Sequence, residues 1–276
     1  MDRPVAVELT APPSEQTRAL YPDESGYVER DGVKVYYEVY GAGELTVLLL
    51  PTWSLIHSRH WKMQIPYLAR HCRVLTFDGR GNGRSDRPTE PDAYDESQFA
   101  ADAVAVLDAT ATDKAVIVSF SLGAQRALIL AAEHPERVEA AVFIGPSYVG
   151  GGEALAERTE FDWEDELETD EGWAKYNKHY WLRDYQGFVE FFFSRFFTEP
   201  HSTKPFEDCV GWALETTAET LVTAQYGVTL SPEEALGLVD LGGQPIKGHT
   251  AVHVWGCNLR AADCQAAAPA QAPDGG

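Results

Sequence analysis

One stretch limits the possible folds most: Ser119-Phe120-Ser121-Leu122-Gly123, directly after the apolar run Ala115-Val116-Ile117-Val118. A short, continuous apolar run marks a strand buried on both faces. From Ser121 to His134 the pattern is helical, and Pro135 ends it. The chain must therefore turn sharply from a buried strand into a helix, with a serine at the tip. Small residues flank that serine because the backbone is pinched there. Such a turn lifts one hydroxyl clear of the main chain and leaves the next N–H free to face a developing negative charge.

The same alternation runs through the chain. Leu45 to Leu50 is a second buried strand, Arg73 to Asp78 a third and Ala140 to Ile144 a fourth. Between them lie helical patterns. Trp61, Ile65 and Leu68 share a face, with Pro66 bending or restarting that helix, and Phe99, Ala103, Val106 and Leu107 share another. Tyr27–Arg30 and Val33–Tyr40 flank Asp31-Gly32, a hairpin signal. The fold class is α/β, a mostly parallel sheet with helices on both faces. Sites in such sheets sit at the carboxyl ends of the strands, where Ser121 lies.

Residues 1–24 carry four prolines and little periodicity, and read as a loosely ordered arm. Residues 25–146 form the core. Over 147–215 strand signals stop and aromatic, helical sequence begins, from Trp163 and Trp173 to Phe196 and Phe197. This reads as an inserted helical cap. Its rings either wall an apolar pocket or fix cap to core, and the second role suits most of them. Residues 216–240 return to the core, and 241–276 read as an irregular, disordered tail ending in low-complexity sequence.

A chain of 276 residues suffices for one large domain or a core plus cap. The net charge of −21 argues against nucleic acid and anionic membranes as partners. No apolar run is long enough for a transmembrane helix. Without a signal-peptide pattern, and with scattered Cys72, Cys209, Cys257 and Cys264, the expectation is a reduced, cytoplasmic protein without structural zinc. The acidic run from Glu164 to Glu171 reads as a solvated face rather than a metal site.

Phe77-Asp78-Gly79-Arg80-Gly81-Asn82-Gly83-Arg84-Ser85-Asp86-Arg87-Pro88 is similar to the Asp-x-Arg-Gly-x-Gly-x-Ser loop of the α/β-hydrolase family. With the serine turn, a nucleophile elbow in which Ser119 replaces the first glycine, and with His134-Pro135-Glu136-Arg137-Val138, the chain resembles that family over about residues 25–235. The type it resembles is the AB hydrolase-1 serine hydrolase. The glycine-rich loop lacks a following Lys-Ser/Thr, so it reads as a tight structural turn rather than a phosphate cradle. The resemblance implies Ser121 as nucleophile and the backbone N–H groups of Leu122 and Trp53 as oxyanion donors. Pro51-Thr52-Trp53 stands where the family usually has His-Gly-x. His57 and His60 lie beside that loop, as pocket lining or as bystanders. The implied substrate is a small carboxylic ester or related acyl compound with an apolar part, and no metal or cofactor is needed. Serine at the elbow, not aspartate, favours acyl chemistry.

Family order places an acid and then a histidine after the serine. By order, Asp240 and then His249 or His253 are the candidates, and Gly248-His249 imitates the family's Gly-His pair. Only eight residues separate Asp240 from His249, whereas a parallel crossover needs about a dozen. The expectation is that the resemblance stops near residue 238, that the C-terminal region is atypical or truncated, and that the last strands are missing. An exposed sheet edge and a poorly soluble or dimerising protein would follow. The alternative function is a catalytically impaired or non-catalytic relative, such as a small-molecule binding module.

Overall fold

Alternate residues of each central strand point to opposite faces of one sheet, and two separate cores result. In the computed structural model, which describes residues 18–147, 160–197, 199, 201 and 203–240, six strands form this sheet in the order β1-β2-β4-β3-β5-β6. They are β1 (Glu24–Arg30), β2 (Val33–Tyr40), β3 (Thr46–Leu49), β4 (Arg73–Phe77), β5 (Ala115–Phe120) and β6 (Val138–Ile144). β3, β4, β5 and β6 are parallel, while β1 and β2 add an antiparallel hairpin at one edge. Asp31 (φ 54°) and Gly32 (φ 78°) both take the left-handed conformation that a two-residue hairpin turn requires.

On one face Leu48, Leu75 and Ile117 meet helices α2 (Glu96–Ala109) and α3 (Gly123–Glu133). On the other, Leu49, Val74 and Tyr40 meet Trp61 and Ile65. The expected helix around Pro66 is divided. A 3-10 turn at Ser58–Trp61 precedes α1 (Ile65–Leu68), with Pro66 in the first turn, where its missing N–H costs nothing.

Beyond β6 the chain becomes helical, as expected: α4 (Lys178–Arg183), α5 (Tyr185–Ser194), α6 (Thr203–Ala213) and α7 (Ala218–Gln225). Side chains cap three of these helices. Asn177 accepts from the His179 N–H, Asp184 from Gly187 and Thr217 from Thr220. Their apolar faces build a third core around Trp181 and Phe188, both fully buried, and Trp53 reaches into it from the end of β3.

α7 belongs to this layer rather than to the sheet, because Ala218 and Leu221 pack there. The return to the sheet comes later, where Leu230 N–H donates to Gln125 Oε1 and α8 (Pro232–Asp240) lays Ala235 against the α2–α3 core. The arm is held from Arg18 onward, since the buried Arg18 guanidinium pairs with Glu38 on β2. Residues 241–276, with His249 and His253, and the Asp240 side chain lie outside the described residues. The expectation of missing last strands falls on that region.

Candidate active site

β5 ends at Phe120 and α3 begins at Gly123, so the turn occupies Ser121 and Leu122. Ser121 has φ 52°, a left-handed backbone that non-glycine residues avoid and that clusters at functional sites. Its main chain is pinned on both sides. The Ser121 N–H donates to Ile144 O at 3.0 Å, and its carbonyl accepts from Ala124 and Ser147. Ser119 fits where the family has glycine because its hydroxyl points back into the sheet and donates to Val142 O at 3.1 Å. Gly123 admits no side chain, since a Cβ there would stand 2.8 Å from Pro51 O. Among the described residues, no acceptor takes the Leu122 N–H.

Arg126, one turn into α3, fixes the loop after β3. Its buried guanidinium donates to Pro51 O at 2.8 Å and Thr52 O at 2.7 Å, and pairs with Glu96 on α2. It also lies 3.7 Å above the Phe99 ring. In a trans peptide the N–H points opposite to the C=O. With the Thr52 carbonyl drawn toward Arg126, the Trp53 N–H faces away from the helix core.

The glycine-rich loop after β4 is a scaffold. Buried Asp78 accepts from the Ser58 N–H at 3.1 Å, the Ser58 hydroxyl at 2.6 Å and the Arg84 N–H at 2.9 Å. Burial works to raise its pKa, but His57 and these donors hold it below the usual carboxylate range. Gly83 (φ 58°) lets the loop close over this carboxylate, and a Cβ there would collide with it. Arg80 pairs through two nitrogens with buried Asp102.

Between this framework and the helical layer, the described residues line an open cavity of about 720 Å³. Ser121, Thr52 and Trp53 line it together with Phe192, Phe196 and Trp212. The aromatic residues therefore divide their roles. Trp181 and Phe188 glue the layer together, while the last turn of α5 faces the cavity. Of the two nearby histidines, His60 lines the cavity and His57 is fully buried beneath it. His60 Nδ1 bonds the His57 carbonyl at 2.9 Å, and its Nε2 is sealed from water without a partner. Desolvation lowers the His60 pKa to about 4.

Ser121 and Trp53 both line the cavity and Leu122 follows Ser121 in the turn, while Asp240's side chain and His249 lie outside the described residues. Sequence reasoning missed Arg126 and the cluster of Lys62, Lys204 and Asp208 on the cavity wall. The four-residue spacing of Lys204 and Asp208 on α6 was a visible signal. The partnership with Lys62 was not, because it joins residues far apart in the chain.

Among the described residues no group of His, Cys, Asp or Glu side chains is placed to hold a metal ion. The acidic run is partly ion-paired, Glu164 with Lys178 and Asp170 with Arg183. No helix among them is long and apolar enough to cross a membrane.

The sheet order, the left-handed serine and the cavity above it define an α/β-hydrolase scaffold. A family model described as the alpha/beta hydrolase fold matches residues 46–235, and the chain belongs to that family. It is 36% identical over 107 residues to the carbamate hydrolase RutD of Caulobacter segnis, a provisional assignment, covering 38% of this chain and 40% of that protein. It is 39% identical over 90 residues to 2-hydroxymuconate semialdehyde hydrolase of Pseudomonas sp. strain CF600, covering 33% of this chain and 31% of that protein. The chain therefore matches less than half the length of these curated relatives. The esterase RhEst1 from Rhodococcus sp. ECU1013 has the same fold, with TM-score 0.61 and 22% identity, over 83% of this chain and 78% of that one. The curated relatives named here are hydrolases by their printed names.

Proposed function

We propose that this chain is a serine hydrolase acting on a carboxylic ester or related acyl compound with an apolar part, through an acyl-Ser121 intermediate. The carrying observation is Ser121 itself, held at φ 52° between β5 and α3 on the wall of the cavity. Its Oγ attacks the substrate carbonyl. The carbonyl oxygen takes up negative charge and is met by the N–H groups of Leu122 and Trp53. Collapse expels the alcohol and leaves the acyl-enzyme, which water then cleaves to the carboxylic acid and free Ser121. The helical layer serves as a cap whose rings exclude water and take the apolar part of the substrate.

The attack needs a base. His60 is unsuited to the role, because its Nδ1 is engaged and its Nε2 is sealed and weakly basic. Family order leaves Asp240 as the candidate acid and His249 or His253 as the candidate base. One observation favours a second reading, a catalytically impaired relative. The family match ends at residue 235, before either of these residues.

A fluorophosphonate probe followed by peptide mass spectrometry separates the two readings. The hydrolase reading expects an adduct at Ser121 and loss of p-nitrophenyl ester turnover in Ser121→Ala. A folded protein that neither labels nor turns over ester belongs to the second reading.

A further inference from the structure

The wall of the cavity carries an imbalance of charge. Lys62, from the loop before α1, and Lys204, from the first turn of α6, both pair with one carboxylate, Asp208. Asp208 is buried, and each of its oxygens is taken by a different ammonium group, Oδ2 by Lys62 and Oδ1 by Lys204 at 2.6 Å. All three side chains line the cavity. No other Asp, Glu, Lys or Arg does so among the described residues, and His60, with its pKa near 4, is neutral at pH 7. Glu207 lies near Lys204 but is exposed and off the cavity wall.

Among the described residues of the lining, two ammonium groups therefore face one carboxylate, and one positive charge is in excess. This stands out in a chain of net charge −21. Each ammonium has three N–H donors, and Asp208 occupies one of each. The Lys62 ammonium also lies 5.4 Å from the centre of the Trp212 ring, which holds it at the cavity wall. The rest of the lining is mostly aromatic and aliphatic, so the largely buried Lys62 ammonium is less screened than in water, while the exposed Lys204 adds its charge from the rim.

We propose that the cavity selects a ligand with an apolar body and one carboxylate, which Lys62 and Lys204 receive while the apolar part lies against Phe192, Phe196 and Trp212. The inference deepens the hydrolase reading by specifying its substrate class, a carboxylate-bearing acyl compound. Its test needs no turnover, so it fails or succeeds apart from that reading.

Isothermal titration calorimetry of the full chain with 4-phenylbutyrate and its neutral amide measures the selection directly. The carboxylate is expected to bind about tenfold more tightly, as one partly desolvated ion pair gives. That preference should shrink as salt rises. Lys204→Met leaves Lys62 and Asp208 balanced and should abolish the preference. The Lys204 side chain is 65% exposed, so the variant keeps its fold. Lys204→Glu should reverse the preference toward 4-phenylbutylamine, and Asp208→Asn should enlarge it. Equal affinities in the parent, a preference that survives Lys204→Met, or no heat from either ligand at millimolar concentration in a folded protein would overturn the proposal.

Discussion

Replacing Ser121 by glycine and by alanine separates backbone strain from chemistry. Both variants lack the hydroxyl, so both should lose ester turnover. Their stabilities should differ. At φ 52° an alanine keeps the clash between Cβ and the carbonyl oxygen, about 1–2 kcal/mol for an L-residue, and glycine does not. Glycine gives back about 0.4–1 kcal/mol through its greater freedom in the unfolded chain. The balance is about 0.5–1 kcal/mol in favour of glycine. In a chain of this size that corresponds to a Tm about 1–4 °C higher for Ser121→Gly than for Ser121→Ala. Two internal references calibrate the measurement. Ala111 has φ 49° and is exposed, so Ala111→Gly should stabilise in the same sense. Ala105 lies inside α2, where glycine should cost about 1 kcal/mol. Differential scanning calorimetry of the set decides. If glycine is less stable than alanine at 121, as it must be at 105, the turn carries no strain and the reasoning fails.

Asp102→Asn should destabilise the fold by about 3 kcal/mol in urea titration, because it leaves the buried Arg80 guanidinium short of a counter-charge that Arg30 also shares. An unchanged midpoint would mean the pair is replaceable. His60 supplies a pH dependence with a defined sign. Its folded pKa of about 4 lies below the unfolded value near 6.5, so the unfolded chain binds the proton first as pH falls. The stability tied to its neutral form is complete above about pH 6.5 and drains away toward pH 4, by at most about 3 kcal/mol. His60→Phe should flatten the stability profile in that window, and an unaltered slope between pH 7 and pH 4 would refute the assignment.

The strands and the serine turn were legible because each rests on local chemistry. Leu48 and Leu49 need only a period of two to know opposite faces, and Asp31-Gly32 needs only its own backbone freedom to close a hairpin. The division of the aromatic rings was half legible. Phe188 and Phe192 share a helix face by their spacing and both belong to the buried core of the layer, yet only Phe192 also lines the cavity. The packing of α7 in the helical layer was not legible, because the sequence carries no sign of which core an amphipathic turn will choose. Lys62 with Asp208, and Arg126 with the carbonyls of Pro51 and Thr52, were invisible. These contacts join segments 146 and about 75 residues apart, and nothing local at either end requires the other.

The Arg126 contact has a consequence for how the loop after β3 can respond to a ligand. A peptide group is a dipole with two ends, and a loop free in solution can turn either one toward an arriving carbonyl oxygen. Here the negative ends at Pro51 and Thr52 are committed inward to a cation that is itself locked to Glu96 and stacked on Phe99. Reversing the plane between Thr52 and Trp53 would leave a guanidinium N–H buried without an acceptor, a penalty of several kcal/mol. The orientation of the Thr52–Trp53 peptide plane is therefore settled when the chain folds, and under the proposed function no reorientation remains to be driven by the substrate.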